Sequence, residues 1–145
     1  MTKKQENFIM KRKAVHLMRE ILFRGKSKNN GKWYQGDLVT VAHKRFIDDD
    51  VVKERVIPET VGQYTGLTDK NGKKIFEGDI VVVYARGYHT VCTVSWAETV
   101  AHFQLWQINT VPKTSTNLNL GNYDFEVIGN IHDNPELLKG GASDA

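Results

Sequence analysis

The sequence predicts a mainly β protein built from small antiparallel units. Short apolar runs recur along most of the chain, and clusters of Gly, Pro, Asn or Asp separate them about every ten residues. Asn30-Gly31 and Asn71-Gly72 are typical of tight hairpin turns, because the backbone there takes a positive φ that Asn and Gly tolerate best. The span Gly66 to Ile131 has the size of a five-stranded SH3-like β-barrel, and Arg19 to Ile57 would add a small β-sheet packed against it.

An amphipathic helix is predicted ahead of the first strand. Residues 3–16 contain no Gly or Pro, and apolar side chains recur at helical spacing while the opposite face is basic. The apolar positions are Met10, Ala14, Leu17, Met18 and Ile21. We expect a basic helical extension over residues 1–17.

Residues 18–65 are predicted to form a small N-terminal β-sheet region. Strands are expected at residues 21–24, 32–41, 45–47 and 51–57. Asn30-Gly31 would join the first two strands and Asp48-Asp49-Asp50 the last two. Pro58 ends the set, because proline cannot donate a hydrogen bond to a neighbouring strand.

The residues around the second Asn-Gly pair repeat those around the first. Both copies read Asn-Gly-Lys, an aromatic residue, Gln or Glu, and then Gly-Asp with aliphatic residues, at positions 30–39 and, with one residue inserted, 71–81. Two copies are too few for a solenoid, which needs about three. The repeat therefore predicts two hairpins built in the same way.

Residues 66–139 are predicted to form the C-terminal SH3-like β-barrel. Residues 80–84 are apolar on both faces, which is typical of a central strand, and further strands are expected at 88–96, 102–108 and 125–131. The polar run 112–123 indicates a surface loop.

The C-terminal residues predict a short helix. Asn134, Pro135 and Glu136 suit its cap and first turn, and the helix would run from Pro135 to Lys139, where Gly140 and Gly141 stop it. Residues 140–145 are expected to be a flexible tail.

Composition excludes several classes of protein. The one cysteine, Cys92, cannot form a disulfide within the chain, which fits a reducing, cytoplasmic compartment. No apolar run approaches the roughly 18 residues that a membrane-spanning helix needs, and the N-terminal residues lack a signal-peptide pattern. We therefore expect a cytoplasmic protein with no membrane association.

The net charge of +3 is unevenly distributed along the 145 residues. Residues 1–32 carry ten basic side chains against two acidic ones, a net of +8, so the remainder sums to −5. From residue 18 onward the net charge is −1. The basic character therefore belongs to residues 1–32, which we call the basic arm. It is poor support for nucleic-acid binding by the β domain itself.

Two pairs of carboxylates could share a metal ion or a proton. Glu77 with Asp79, and Asp124 with Glu126, stand two residues apart, a spacing that places both side chains on one face of a strand. The alternative is that the Asp of each Gly-Asp pair caps backbone amides in a turn, and Asp37 in the first copy favours this interpretation. We interpret Asp48-Asp49-Asp50 as a solvated hairpin loop rather than a divalent-cation site.

The sequence contains no complete catalytic motif. His89 and Cys92 would face opposite sides of a strand, so we expect Cys92 to be a small buried hydrophobic residue. The other histidines lack metal-binding spacing, and neither a phosphate-binding loop nor a nucleophile elbow is present. We assign no catalytic, cofactor-binding or metal-binding residue and expect no cofactor; nothing in the sequence supports an enzyme, and enzymatic activity is left open.

The basic arm is a candidate for nucleic-acid binding. Basic side chains in this arm could neutralise several phosphates, and aromatic residues of a small barrel could stack on bases. The basic candidates are Lys11, Arg12, Lys13, Arg24 and Lys26, and the aromatic ones are Trp33, Tyr34 and Trp106. The alternatives are a solvated basic face with aromatic residues in the core, or docking of the helix on a protein through its apolar positions.

Three segments resemble the YopX-type proteins of phages and prophages of low-GC Gram-positive bacteria. They are Met-Arg-Glu-Ile-Leu-Phe-Arg-Gly-Lys at 18–26 with Gly-Lys-Trp at 31–33, the ungapped run 58–81, and Phe-Glu-Val-Ile-Gly-Asn-Ile-His-Asp-Asn-Pro-Glu-Leu-Leu at 125–138. The resemblance implies a β-rich fold with a C-terminal barrel resembling SH3, a phage or prophage gene context, and no known reaction. Residues 1–17 lie outside it.

We therefore expect an accessory protein of a phage or prophage, a non-enzymatic β module that binds a host or phage macromolecule in the bacterial cytoplasm. One alternative is a nucleic-acid-binding protein that uses the basic arm. Another is a metal-dependent enzyme that uses Glu77, Asp79, Asp124 or Glu126. The partner is unknown, and oligomer formation is left open.

Overall fold

The computed structural model describes residues 1–7, 19–85, 87–108, 115–117 and 123–143. The strands in these ranges are β1 (Phe23–Lys26), β2 (Trp33–Val41), β3 (Lys44–Asp48), β4 (Lys53–Arg55), β5 (Gly62–Thr68), β6 (Lys74–Phe76), β7 (Asp79–Ala85), β8 (Tyr88–Ala97), β9 (His102–Gln107), β10 (Ser115–Asn117) and β11 (Asp124–Asn130). Short 3₁₀ helices span Pro58–Thr60 and Pro135–Ser143. The mainly β prediction is confirmed.

The strands form two antiparallel sheets. The first has the order β4-β3-β2-β1-β5-β6 and the second the order β10-β9-β8-β7-β11. The predicted boundary between residues 65 and 66 falls inside β5, and the chain leaves the first sheet only after β6. Among the described strands, nothing pairs β10 with β11 to close the second sheet, so the SH3-like barrel stays a prediction.

Three strands of the structure, β5, β6 and β10, have no range in the sequence prediction, although the Asn71-Gly72 turn implies the pairing of β5 with β6. β5 contains Gly62 and Gly66, which weaken a strand pattern, but it lies between β1 and β6 and its backbone pairs with both. β10 lies within the polar run 112–123, where it pairs with β9. The rest of that predicted loop, up to residue 122, lies outside the described residues.

Both predicted hairpins turn at the Asn-Gly pairs, but only the Gly of each pair takes a positive φ, and a side chain caps each turn. Gly31 and Gly72 have φ values of 71° and 81°. The Ser27 hydroxyl accepts hydrogen bonds from the backbone of Asn29 and Asn30, while Asp69 Oδ1 accepts them from Asn71 and Lys73. Each turn therefore depends on a short polar side chain that precedes it.

The Gly-Asp halves of the repeat differ in structure. Gly36 and Asp37 lie inside β2, where the exposed Asp37 pairs with Asp48 of β3. Gly78, with a φ of 90°, forms the turn between β6 and β7, and Asp79 is buried. The repeat therefore predicts the hairpin turns correctly but not an equivalent role for the two aspartates.

The hydrophobic core is formed mainly by strands of the second sheet. Side chains on the inner faces of β7, β8, β9 and β11 pack against the end of the first sheet, and Cys92 is among them with 2% of its surface exposed. The buried members are Ile75, Val81, Val83, Cys92, Val94, Leu105 and Phe125. The prediction that Cys92 is a buried hydrophobic residue is confirmed.

The two predicted terminal helices have different outcomes. Residues 3–7 are helical, but residues 8–18, which hold most of the predicted N-terminal helix, lie outside the described part. The C-terminal helix is a 3₁₀ helix that continues to Ser143, so the predicted stop at Gly140 was wrong. Glycine weakens a helix but does not prevent another turn of it.

In the part of the chain that the structure describes, no helix has the length and apolar character needed to cross a membrane.

Candidate binding site

A buried ion pair joins the two sheets. Nη2 of Arg24 on β1 lies 2.7 Å from Oδ1 of Asp79 on β7, and the two residues are 8% and 1% exposed. Asp79 Oδ2 also accepts a hydrogen bond of 2.8 Å from the Phe76 backbone. Burial raises the pKa of Asp79, and the positive charge of Arg24 opposes that rise. The expected turn-capping role of Asp79 is thus present, together with a charged contact that sequence reasoning missed.

Aromatic rings enclose the guanidinium of Arg24. Its carbon lies 4.9 Å from the centre of the Trp33 ring and 4.8 Å from that of Phe76. Nη2 also donates a hydrogen bond of 3.4 Å to the backbone carbonyl of Glu77. Because Arg24 is enclosed in this way, a phosphate could reach it only by displacing Asp79 or an aromatic ring.

Lys26 and Trp33 form a second link between the sheets through Asp133. Lys26 Nζ lies 2.7 Å from Asp133 Oδ1, and the Trp33 indole donates a hydrogen bond of 2.7 Å to Asp133 Oδ2. The hydrogen bond from Lys26, followed by that from Trp33, lowers the pKa of Asp133 to about 2. Lys26 is therefore paired within the protein, and Lys11, Arg12 and Lys13 lie outside the described residues. The five basic candidates remain a prediction.

The two candidate pairs of carboxylates lie apart from each other, because Asp79 and the Asp124–Glu126 pair are at opposite ends of the pairing of β11 with β7. In the pairing of β11 with β7, Asp124 lies opposite Tyr84 and Glu126 opposite Val82, whereas Asp79 is at the other end, opposite Asn130. Glu126 accepts a hydrogen bond of 2.8 Å from the Tyr84 hydroxyl. Within the described ranges, no three His, Cys, Asp or Glu side chains are close enough together to hold a metal ion.

His89 and Cys92 do not form a catalytic pair. Burial raises the pKa of the Cys92 thiol to about 11, so the nucleophilic thiolate is scarce at neutral pH. His89 is exposed, and its ring lies 6.0 Å from that of Tyr84 on the opposite face of the sheet.

An apolar groove of about 610 Å³ lies on the outer face of the second sheet. Thr93 and Ser95 of β8 and Trp106 of β9 form its floor, while Ile131 and Leu138 form the wall toward the C-terminal 3₁₀ helix. We call this the outer groove. Of the three aromatic residues proposed to stack on bases, Trp106 lines it, whereas Trp33 packs on Arg24 and Tyr34 accepts a hydrogen bond from Asn30.

A smaller groove of about 240 Å³ lies where the second sheet meets β1 and β5. Phe23, Trp96 and Phe103 provide its aromatic surface, and Glu77 and Gln63 are its polar residues. Trp96 is 42% exposed, and its ring contacts that of Phe103 edge-on at 5.0 Å. We call this the junction groove. Sequence reasoning missed it, because its walls come from strands that are distant in the chain.

These features define a mainly β protein of two antiparallel sheets, with polar links between the sheets and with the outer and junction grooves on its surface. The chain belongs to the YopX protein family, whose family model matches residues 22–139. This finding confirms the resemblance seen in the sequence.

A solved structure, protein EF1440 from Enterococcus faecalis, is similar to this chain. The two share 25% sequence identity with a TM-score of 0.50, over 83% of this chain and 99% of the other. The comparison with curated proteins found no match.

Proposed function

We propose that the protein is a non-enzymatic module that binds another protein, of a host bacterium or a phage, in the bacterial cytoplasm. The outer groove is the observation that carries this proposal. Trp106 is only partly covered there, and Leu138 is 38% exposed, so a partner could bury apolar surface on both. Aromatic residues of this kind often dominate the binding energy of protein interfaces.

The distribution of polar groups supports binding rather than catalysis. Asp79, Asp133 and Glu126 each pair with a cation or hydrogen-bond donor of the protein itself, and they lie in different places. General acid-base chemistry requires such groups to converge on one substrate position. A phage or prophage origin, and an SH3-like unit over residues 66–139, remain parts of the proposal.

Site-specific crosslinking in cells tests the proposal. A photoreactive residue at Leu138, in the outer groove, should give a discrete protein adduct, and the same residue at Val51, which is 88% exposed in the β3–β4 loop, should not. Trp106→Ala should reduce the yield at Leu138. Equal adducts at both positions, or a yield that Trp106→Ala leaves unchanged, would count against the outer groove.

Nucleic-acid binding by the basic arm is the second candidate function, because residues 1–32 carry a net charge of +8. It predicts an affinity for duplex DNA that falls with salt, with a slope of about −0.9 per phosphate contacted, and that drops when residues 1–17 are removed. An affinity insensitive to salt or to this truncation would contradict it.

A further inference from the structure

We propose that the junction groove binds a basic side chain, lysine or arginine, of a partner protein. This inference rests on the proposed function, since it names a feature of the protein partner. The groove combines three aromatic residues with one carboxylate, Glu77, and aromatic rings beside a carboxylate form a favourable environment for an organic cation.

Glu77 lies within the groove wall, in the turn between β6 and β7. Its backbone N–H donates a hydrogen bond of 2.9 Å to the carbonyl of Gln63, which also lines the groove. This bond holds the turn that carries Glu77 against β5, and Trp96 lines the same groove. Gly62 makes the arrangement possible, because a Cβ there would come within 2.5 Å of the Glu77 carbonyl oxygen.

Glu77 forms no salt bridge within the described residues. The ion pairs found there join Arg24 to Asp79, Lys26 to Asp133, Lys70 to Glu126 and Lys74 to Glu20. Arg24 contacts the backbone carbonyl of Glu77, but its guanidinium pairs with Asp79. Burial opposes ionisation of Glu77, as the direction of its pKa shift records.

A cation in the junction groove would compensate the half-buried charge of Glu77. The walls of Phe23, Trp96 and Phe103 would cover the aliphatic part of a lysine or arginine side chain, while its charged end approaches the carboxylate. An acidic side chain would be repelled. A neutral apolar side chain would gain the packing but leave Glu77 without a partner.

Titrations followed by two-dimensional NMR test this inference without knowledge of the partner. The probes are the N-acetyl amides of lysine, arginine and norleucine, where norleucine is the neutral aliphatic control. The readouts are the Trp96 indole N–H and the Gln63 backbone N–H. We expect both cations to shift these signals, and norleucine to bind about threefold to thirtyfold more weakly, the range of a cation-π contact.

Matched variants separate charge recognition from packing. Glu77→Gln should remove the preference for lysine over norleucine, Trp96→Ala should weaken both probes, and Glu126→Gln, a carboxylate outside the groove, should change neither. If lysine and norleucine bind equally to the natural protein, or if neither cation shifts the two signals, the inference is overturned. That comparison on the natural protein decides the matter even if a variant fails to fold.

The two proposals can fail independently. Because the titration uses small probes, loss of the crosslinked adduct at Leu138 would refute protein binding at the outer groove and leave the probe result standing. An adduct with no response to cationic probes would retain protein binding and reject the basic side chain.

Discussion

The guanidinium of Arg24 and the carboxylate of Asp79 meet at 2.7 Å, and this contact connects the first sheet to the second. Both groups are buried, and Arg24 Nε has no hydrogen-bond partner among the described residues. Burying two charges is favourable only while each compensates the other. The stability of the sheet junction therefore depends on both residues together.

We expect Arg24→Met to lower the free energy of unfolding by about 3–5 kcal/mol, because it leaves the buried charge of Asp79 without a compensating positive charge. The double variant Arg24→Met/Asp79→Asn should recover part of this loss, since Asn keeps an acceptor for the Phe76 N–H. Urea unfolding of the single and double variants measures the coupling. As a control, Lys70→Met removes an exposed ion pair and should cost no more than about 1 kcal/mol. Additive losses in the double variant would contradict the coupling.

Asp133 makes the stability of the protein depend on acid pH. Its pKa in the folded protein, about 2, is below the ordinary value of 3.8. The contribution of Asp133 is therefore fully present above pH 3.8 and is lost as the pH falls toward 2. Urea unfolding should show that Asp133→Asn destabilises the protein strongly at pH 6 and little at pH 2. The exposed residue Asp124 provides the control variant Asp124→Asn. An equal loss at both pH values would show that Asp133 acts without its charge.

The features that could be predicted from the sequence, such as the hairpin turns, depend on residues that are neighbours along the chain. The turns at Asn30-Gly31 and Asn71-Gly72 follow from the tolerance of Gly for a positive φ, so a local pattern is sufficient. The Arg24–Asp79 pair joins residues that are 55 positions apart, and no local pattern selects one aspartate over another. The repeat misled here, because it made Asp37 and Asp79 look equivalent.

The two grooves could not be predicted from the sequence for a similar reason, because their residues come from distant parts of the chain. Trp96 and Phe103 pair across one hairpin, but Phe23 and Glu77 reach the same groove from other parts of the chain. An aromatic residue on a strand is usually in the core, so exposure of Trp96 could not be predicted from its position in the sequence. Sheet packing alone determines which aromatic residues remain accessible.

Asp69 holds a turn of the first sheet against the edge of the second. Its carboxylate accepts hydrogen bonds of 2.9 Å from Asn71 and Lys73 and one of 3.0 Å from Val127 of β11. We expect Asp69→Ala to lower the free energy of unfolding by roughly 3 kcal/mol, because three backbone donors lose one buried, charged acceptor. Asp69→Asn, which can keep one acceptor oxygen, should be intermediate.

Hydrogen exchange distinguishes this role of Asp69 from a general loss of stability. The Val127 amide should exchange faster in Asp69→Ala by more than the change in global stability accounts for, and amides of β3 should not. Equal acceleration of amide exchange at Val127 and in β3 would mean that Asp69 does not specifically stabilise β11.

Glu77 should destabilise the free protein at neutral pH. Burial raises its pKa above the ordinary 4.5, so its contribution to stability is fully present below pH 4.5 and is lost as the pH rises through the folded-state pKa. Glu77→Gln mimics the protonated form, and we expect it to be more stable than the natural protein at pH 7 and about equally stable at pH 4. Urea unfolding at the two pH values measures this difference in stability.

The lysine probe should stabilise the natural protein at pH 7 and have little effect on Glu77→Gln, because ligand binding to the folded state alone raises stability. If Glu77→Gln is less stable than the natural protein at pH 7, contacts of the ionised carboxylate within the protein outweigh the cost of burial, and Glu77 needs no external cation.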